Sequence, residues 1–195
     1  DYPMLREYFH ELEFYSLIRD VISAEELGFP ESEGTGETEE APEKRYETVL
    51  TEKRLVEVLE ELRQSGGFAV DTETTSLDAM QAELVGLSFC IEPGSAAYVP
   101  VGHDYPGAGP QLERDAVLAR LRPLLEDADR PKVGQHIKYD MNVLANHGIR
   151  LAGVRYDTML ESYVLDSTAT RHDMDALALK YLDHQTIHYE DVAGK

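Results

Sequence analysis

The chain has 195 residues, and 38 acidic residues against 18 lysines and arginines give a formal net charge of −20. That length suits one domain with an appendage and is enough to bury a sizeable core, and an apolar share of 42% excludes disorder along the whole chain. The acidic balance excludes a broad basic face of the kind that grips duplex nucleic acid nonspecifically. Any nucleic-acid contact must then be local, or must bring positive charge with it. No apolar run of about 18 residues is present, so no membrane-spanning helix and no membrane partner are expected. The start, Asp1-Tyr2-Pro3-Met4, lacks the basic and apolar regions of a signal peptide. The single cysteine, Cys90, allows no internal disulfide, fits a reducing compartment, and reads as a core thiol within Leu87-Ser88-Phe89-Cys90-Ile91.

Three zones follow in chain order. In residues 1–29, Leu5, Tyr8, Phe9, Leu12, Tyr15 and Leu17 recur at helical spacings, on a stripe too short to make a core alone. Residues 30–45 read as an acidic linker: between Glu31 and Glu43 lie six glutamates, no base and no aliphatic side chain larger than alanine. Residues 46–195 read as the globular domain. Thr51 caps an expected helix with apolar Leu55, Val58, Leu59 and Leu62, stopped by Gly66-Gly67. Phe68-Ala69-Val70-Asp71 reads as a strand. Leu84 to Ile91 and Ala96 to Val101 are two more, separated by the turn signal Pro93-Gly94, so an antiparallel meander is expected. A helix over Leu112 to Leu125, a short strand Lys132-Val133-Gly134 and a helix from Lys138 to His147 ended by Gly148 come next. The series closes with a strand Val154 to Asp157 and helices over 158–165 and 171–182. Strands in a run, then strands alternating with helices, predict an α/β fold: a mixed central sheet, antiparallel at one side and parallel at the other, flanked by helices.

Two short segments carry chemistry. Asp71 and Glu73 are two apart at the end of a predicted strand, so both carboxylates face one side. Burying them is unfavourable unless something neutralises them, and hard cations such as Mg²⁺ or Mn²⁺ suit carboxylate oxygens. A solvated strand end is the plainer reading. Gly134-Gln135-His136-Ile137-Lys138-Tyr139-Asp140 follows a predicted strand and opens a helix. Asp140 in a first helical turn is favoured by the helix dipole. A third carboxylate beside Asp71 and Glu73 would also make a two-metal site for in-line phosphoryl displacement.

Val70-Asp71-Thr72-Glu73-Thr74-x-Ser76-Leu77-Asp78 resembles the first motif of the DnaQ-like 3′–5′ exonucleases, and Gly134 to Asp140 resembles the second. Asp157-Thr158-Met159-Leu160-Glu161-Ser162-Tyr163 and Arg171-His172-Asp173-Met174-Asp175-x-Leu177-Ala178 narrow the likeness to the proofreading domains of the bacterial DNA polymerase I family (family A), over about residues 46–195. Residues 1–29 look like the tail of the 5′-nuclease domain that precedes such a domain. The resemblance implies an RNase H-like fold and removal of mismatched nucleotides from a single-stranded DNA 3′ end. The cofactors it implies are two divalent metal ions, Mg²⁺ or Mn²⁺ with Zn²⁺ as a further candidate. Asp71, Glu73 and Asp140 match the metal ligands, and Glu73 would also help position the attacking water. Leu77 matches a residue that wedges against the terminal base, with Thr74 beside it. Gln135, Lys138 and Tyr139 match positions lining the scissile nucleotide, Arg171 one that reaches phosphate, and Tyr189 an aromatic that stacks on single-stranded bases. Without the resemblance, Leu77 and Tyr139 also read as core residues and Tyr189 as an ordinary strand aromatic. The implied partners are the polymerase and 5′-nuclease domains of the same parent chain, and the implied location is the bacterial cytoplasm, with the nucleoid.

The chain departs from the family pattern twice. His136 stands where the second motif has asparagine. A third motif, Tyr-x-x-x-Asp, supplies another metal-ligand aspartate, and none of the 11 tyrosines here has an aspartate four residues on. The expectation is a fragment truncated before that motif, with an incomplete metal site and weak or no activity by itself. Asp157, Asp173 and Asp175 are the candidate substitutes, against simpler roles at a strand end and a helix start. Two other functions fit some of these residues: a non-catalytic spacer domain, opposed by the presence of Asp71, Glu73 and Asp140, and an RNase D-like exonuclease acting on RNA.

Overall fold

The computed structural model describes residues 44–168 and 171–187. The expected N-terminal helical segment, nearly all of the acidic linker, and Tyr189 lie outside the described residues. Six strands and five helices are described: β1 (Arg45–Thr48), α1 (Glu52–Gln64), β2 (Phe68–Thr74), β3 (Leu84–Glu92), β4 (Ser95–Pro100), α2 (Arg114–Leu125), β5 (Lys132–Gly134), α3 (Lys138–Asn146), β6 (Val154–Asp157), α4 (Thr158–Leu165) and α5 (Met174–Leu182).

The strands form one sheet in the order β1-β4-β3-β2-β5-β6. β2, β3 and β4 are the expected antiparallel meander, and β2, β5 and β6 run parallel. The sequence reading lacks β1, which pairs parallel with β4 from Arg45↔Ser95 to Thr48↔Tyr98. Arg45-Tyr46-Glu47-Thr48 has no apolar alternation. Its strand conformation comes from the β4 edge, and buried Val49 anchors its end by donating its N–H to the Tyr98 carbonyl at 2.7 Å.

α1 buries Leu55, Val58, Leu59 and Leu62, one helical stripe, and the Thr51 hydroxyl accepts the Arg54 N–H at 3.2 Å. α2 starts two residues later than expected and buries Val117, Leu118, Leu121, Leu124 and Leu125. These side chains join Phe68 and Val70 of β2, Leu87 and Phe89 of β3 and Val99 of β4 in one apolar core. Each such side chain, fully buried, stabilises the fold by about 1.5–3 kcal/mol. Val70 and Thr72 point to this buried face, so Asp71 and Glu73 point to the other, with Asp71 partly covered and Glu73 exposed. β2 also runs on to Thr74, past the expected end at Asp71, with an irregularity between Glu73 and Thr74.

β5 is held from below by a buried cation. The Lys132 ammonium donates to the carbonyls of Asp127 at 2.9 Å and Arg130 at 3.1 Å, and lies 5.5 Å from the centre of the Phe68 ring. Burial holds its pKa below the ordinary lysine value. Gly153, just before β6 and with φ of 71°, packs against the same loop: a Cβ there would come within 2.3 Å of the Arg130 carbonyl oxygen. No described helix is long and apolar enough to cross a membrane.

Candidate active site

The C-terminal ends of β5 and β6 lie side by side and β2 runs on past them, at the end of the sheet where parallel strands of an α/β fold present ligand-binding groups. Among the described residues, three of the five buried polar ones, Thr72, Asp140 and Asp157, are there.

β5 pairs with β2 only at Phe68↔Lys132 and Ala69↔Val133, and then turns into α3. Beyond that point Asp140, in the first turn of α3, takes over as acceptor. Its Oδ1 accepts both the backbone N–H of Thr72, at 2.9 Å, and the Thr72 hydroxyl, at 2.6 Å. Thr72, which sequence reading passed over as the middle of Asp71-Thr72-Glu73, thus ties the β2 carboxylates to the α3 carboxylate. Its signal was its place on the buried face of a strand, where a hydroxyl needs a partner.

Asp71 senses the other two carboxylates. The pKa of Asp71 is pushed up to about 7, first by burial and then by the charges of Asp140 and Glu73. Burial also raises that of Asp140, against the lowering effect of its two bonds from Thr72. Among the described residues no three His, Cys, Asp or Glu side chains form a ready-made metal cage. The all-carboxylate donor set nonetheless fits a hard divalent cation, the one class of partner that would relieve this repulsion without a base.

Around the carboxylates the expected residues take different places. Leu77 is 99% exposed on the loop after β2, so the core-packing alternative does not hold for it. Tyr139 packs its ring against the core, and its hydroxyl donates to the Ser76 carbonyl and lies 2.5 Å from the Thr74 hydroxyl. Asn146, at the far end of α3, donates to the Ala79 carbonyl at 2.7 Å. α3 therefore braces the Leu77 loop at two points. Lys138 is exposed. Gln135 donates to the His172 carbonyl at 2.8 Å and accepts from the Thr158 hydroxyl. This brings the segment with Arg171 next to the end of β5, and exposed Arg171 pairs with Asp173 at 3.2 Å.

His136 has a φ of 56°, in the left-handed region. Asparagine and histidine are both enriched there among residues with a Cβ, which gives a backbone reason for the exchange of one for the other. Asp157 holds this turn. Its carboxylate accepts the N–H groups of His136 at 3.1 Å and Ile137 at 3.0 Å, and caps α4 through Met159 at 3.0 Å and Leu160 at 3.3 Å. Asp173 likewise caps α5 through Ala176 at 2.9 Å, and Asp175 accepts from the Thr186 hydroxyl at 2.6 Å. All three aspartates thus have local structural roles, which makes them poor substitutes for a further ligand.

The 3′–5′ exonuclease family model matches residues 46–195. DNA polymerase I of Pseudomonas aeruginosa is 55% identical over 190 residues, 96% of this chain and 20% of that protein. DNA polymerase I of Rhizobium leguminosarum is 43% identical over 166 residues, 76% of this chain and 16% of that protein. The chain thus spans a fifth or less of the length of these curated relatives. Among solved structures, Pol1 of M. smegmatis, in complex with DNA primer-template and dNTP, is 26% identical with a TM-score of 0.59, over 72% of this chain and 23% of that one. Brucella melitensis NrnC with bound Mg²⁺ (20% identity, TM-score 0.54, 74% of this chain and 64% of that one) and Escherichia coli RNase D (15%, 0.57, 76% and 36%) share the fold. With residues 46–195 matched end to end, the chain belongs to the 3′–5′ exonuclease family, as a domain of the DNA polymerase I kind.

Proposed function

We propose that this domain removes nucleotides from the 3′ end of single-stranded DNA, as the proofreading activity of a DNA polymerase I. The observation that carries the reading is the linked carboxylate set: Asp71 and Glu73 on one face of β2, with Asp140 locked to the strand between them by two hydrogen bonds to Thr72. Asp71, Glu73 and Asp140 would hold two divalent ions, Mg²⁺ or Mn²⁺. Such ions, when bound, supply the charge that makes a bound water acidic and steadies the scissile phosphate oxygens. The chain's own residues do the rest. Glu73, exposed at the strand end, orients the attacking water. Leu77 projects from its braced loop against the terminal base. Lys138 and Arg171, both exposed, meet backbone phosphates, where a guanidinium grips in two places. A chain of net charge −20 then holds DNA through these few local groups, while polymerase and 5′-nuclease domains of the same parent chain deliver the primer end in the bacterial cytoplasm. The third carboxylate motif, absent from these 195 residues, makes the reaction of this chain alone slow.

The test is release of nucleotides from 5′-labelled single-stranded DNA and RNA in Mg²⁺ and Mn²⁺, by this chain and by a DNA polymerase I carrying these residues. The expected result is stepwise shortening of DNA from the 3′ end by the longer protein, abolished by Asp71→Ala. Preference for RNA would favour the RNase D-like reading. Intact DNA and RNA with no metal uptake would favour a spacer.

A further inference from the structure

Leu77 lies on the loop after β2, Lys138 and Arg171 lie on the β5 side of β2, and the β4 side of the carboxylates carries a different chemistry. The register runs Asp71↔Ser88 between β2 and β3 and Ser88↔Tyr98 between β3 and β4, so Tyr98 stands on the same face of the sheet as Asp71. Its ring leans over Gly86, the residue paired with Glu73: a Cβ on Gly86 would lie 2.0 Å from the Tyr98 hydroxyl and 2.4 Å from Cζ. Only a glycine leaves room for that ring beside Glu73. The hydroxyl is held 2.5 Å from Nε2 of His103. His103 is fixed in turn by a two-way bridge with Gln111, its N–H donated at 2.8 Å and its carbonyl accepting at 2.7 Å. Tyr105 meets the imidazole edge-on, with centroids 5.6 Å apart, and is 59% exposed. The three rings form a row that starts beside Glu73 and ends in solvent. From Gly102 to Leu112 there is no lysine or arginine, and Asp104 adds a negative charge. The row brings no lysine or arginine to phosphates, while its aromatic faces suit bases of any sequence.

We propose that Tyr98, His103 and Tyr105 form a second wall of the substrate track, which takes the nucleobases of single-stranded DNA upstream of the scissile phosphate. This rests on the exonuclease reading above. Tyr105 offers the outer stacking surface, and Tyr98 with His103 keeps it aligned with Glu73. The wall adds affinity that grows with strand length and, because it meets bases, adds nothing to the salt dependence of binding.

The test measures steady-state hydrolysis of oligothymidylates of two and eight nucleotides at several salt concentrations, in a DNA polymerase I carrying these residues. Wild type is compared with Tyr105→Ala and Tyr105→Phe. The expected result is that Tyr105→Ala shrinks the KM advantage of the longer strand by about fivefold or more. The loss lies in KM rather than kcat, the salt slope stays unchanged, and Tyr105→Phe recovers most of it. An advantage equal to wild type in Tyr105→Ala, or a loss that appears as a shallower salt slope, overturns the wall and leaves the exonuclease reading standing. If wild type releases no nucleotide from either strand, the exonuclease reading falls and the wall falls with it.

Discussion

At the scale of single residues, the site depends on how one carboxylate is held. Asp140 is 2% exposed, and a buried carboxylate is tolerable only with partners. Thr72 supplies two, from one residue and onto one oxygen. Thr72→Val keeps the shape and the backbone bond but removes the hydroxyl. We expect stability to fall by about 1–3 kcal/mol and, with Asp140 holding a metal as proposed above, kcat by about tenfold, the usual size of a lost partner to such a side chain. Thr72→Ser should recover most of both. Thermal melts and single-turnover hydrolysis check this, and a Thr72→Ser variant as damaged as Thr72→Val would show that the methyl group, not the hydroxyl, matters. His136 teaches a related point. Its departure from asparagine looks chemical in the sequence, yet its N–H is given to Asp157 and its φ of 56° sets a backbone demand that either residue can meet.

At the scale of elements, the period-two and helical patterns were legible wherever a face is buried. α1 and the meander were readable because Leu55, Val58, Leu59 and Leu62, and then Leu87 and Phe89, repeat with the spacing of their own element. β1 was not, because an edge strand with pattern exposed-exposed-half-exposed draws its order from β4 rather than from its own side chains. The turn just before β6, packed against the loop into β5, makes a prediction. Gly153 has φ of 71°, and an added Cβ would sit 2.3 Å from one carbonyl oxygen and 2.6 Å from another, the same two oxygens that receive the Lys132 ammonium. Gly153→Ala should therefore displace both acceptors of a buried cation and cost about 2 kcal/mol or more, lowering Tm by about 4 °C or more. A melt within about 1 °C of wild type would mean that the loop yields freely.

At the scale of the whole molecule, electrostatics work against the fold at neutral pH. The chain carries a net charge of −20, and it buries Asp71 beside two further carboxylates. The ordinary aspartate pKa is 3.8, and in the folded chain that of Asp71 stands at about 7. Between these values the native state keeps a proton that the unfolded chain has released. By linkage, the contribution of Asp71 to stability is full below about pH 4 and is lost as pH rises through 7. We expect the Tm of the metal-free protein to fall between pH 5 and pH 8. We expect Mg²⁺ to restore it at pH 8, and Asp71→Asn to flatten the pH dependence and blunt the effect of Mg²⁺. Calorimetric melts at fixed ionic strength decide it, and a Tm that rises across that range would mean that Asp71 is not repelled by its neighbours.

Local order determined what could be read from the sequence by itself. Apolar periodicity places the core elements, and the spacing of Asp71 and Glu73 puts two acids on one face, because both depend only on residues near one another in the chain. The tertiary structure alone decided what depends on long-range approach: the bond from Thr72 to Asp140 across 68 positions, the brace from Tyr139 to the Leu77 loop across 63, and the Tyr98 ring above Gly86 beside Glu73. Each joins strands or helices whose meeting is set by sheet register and core packing, which no local pattern encodes.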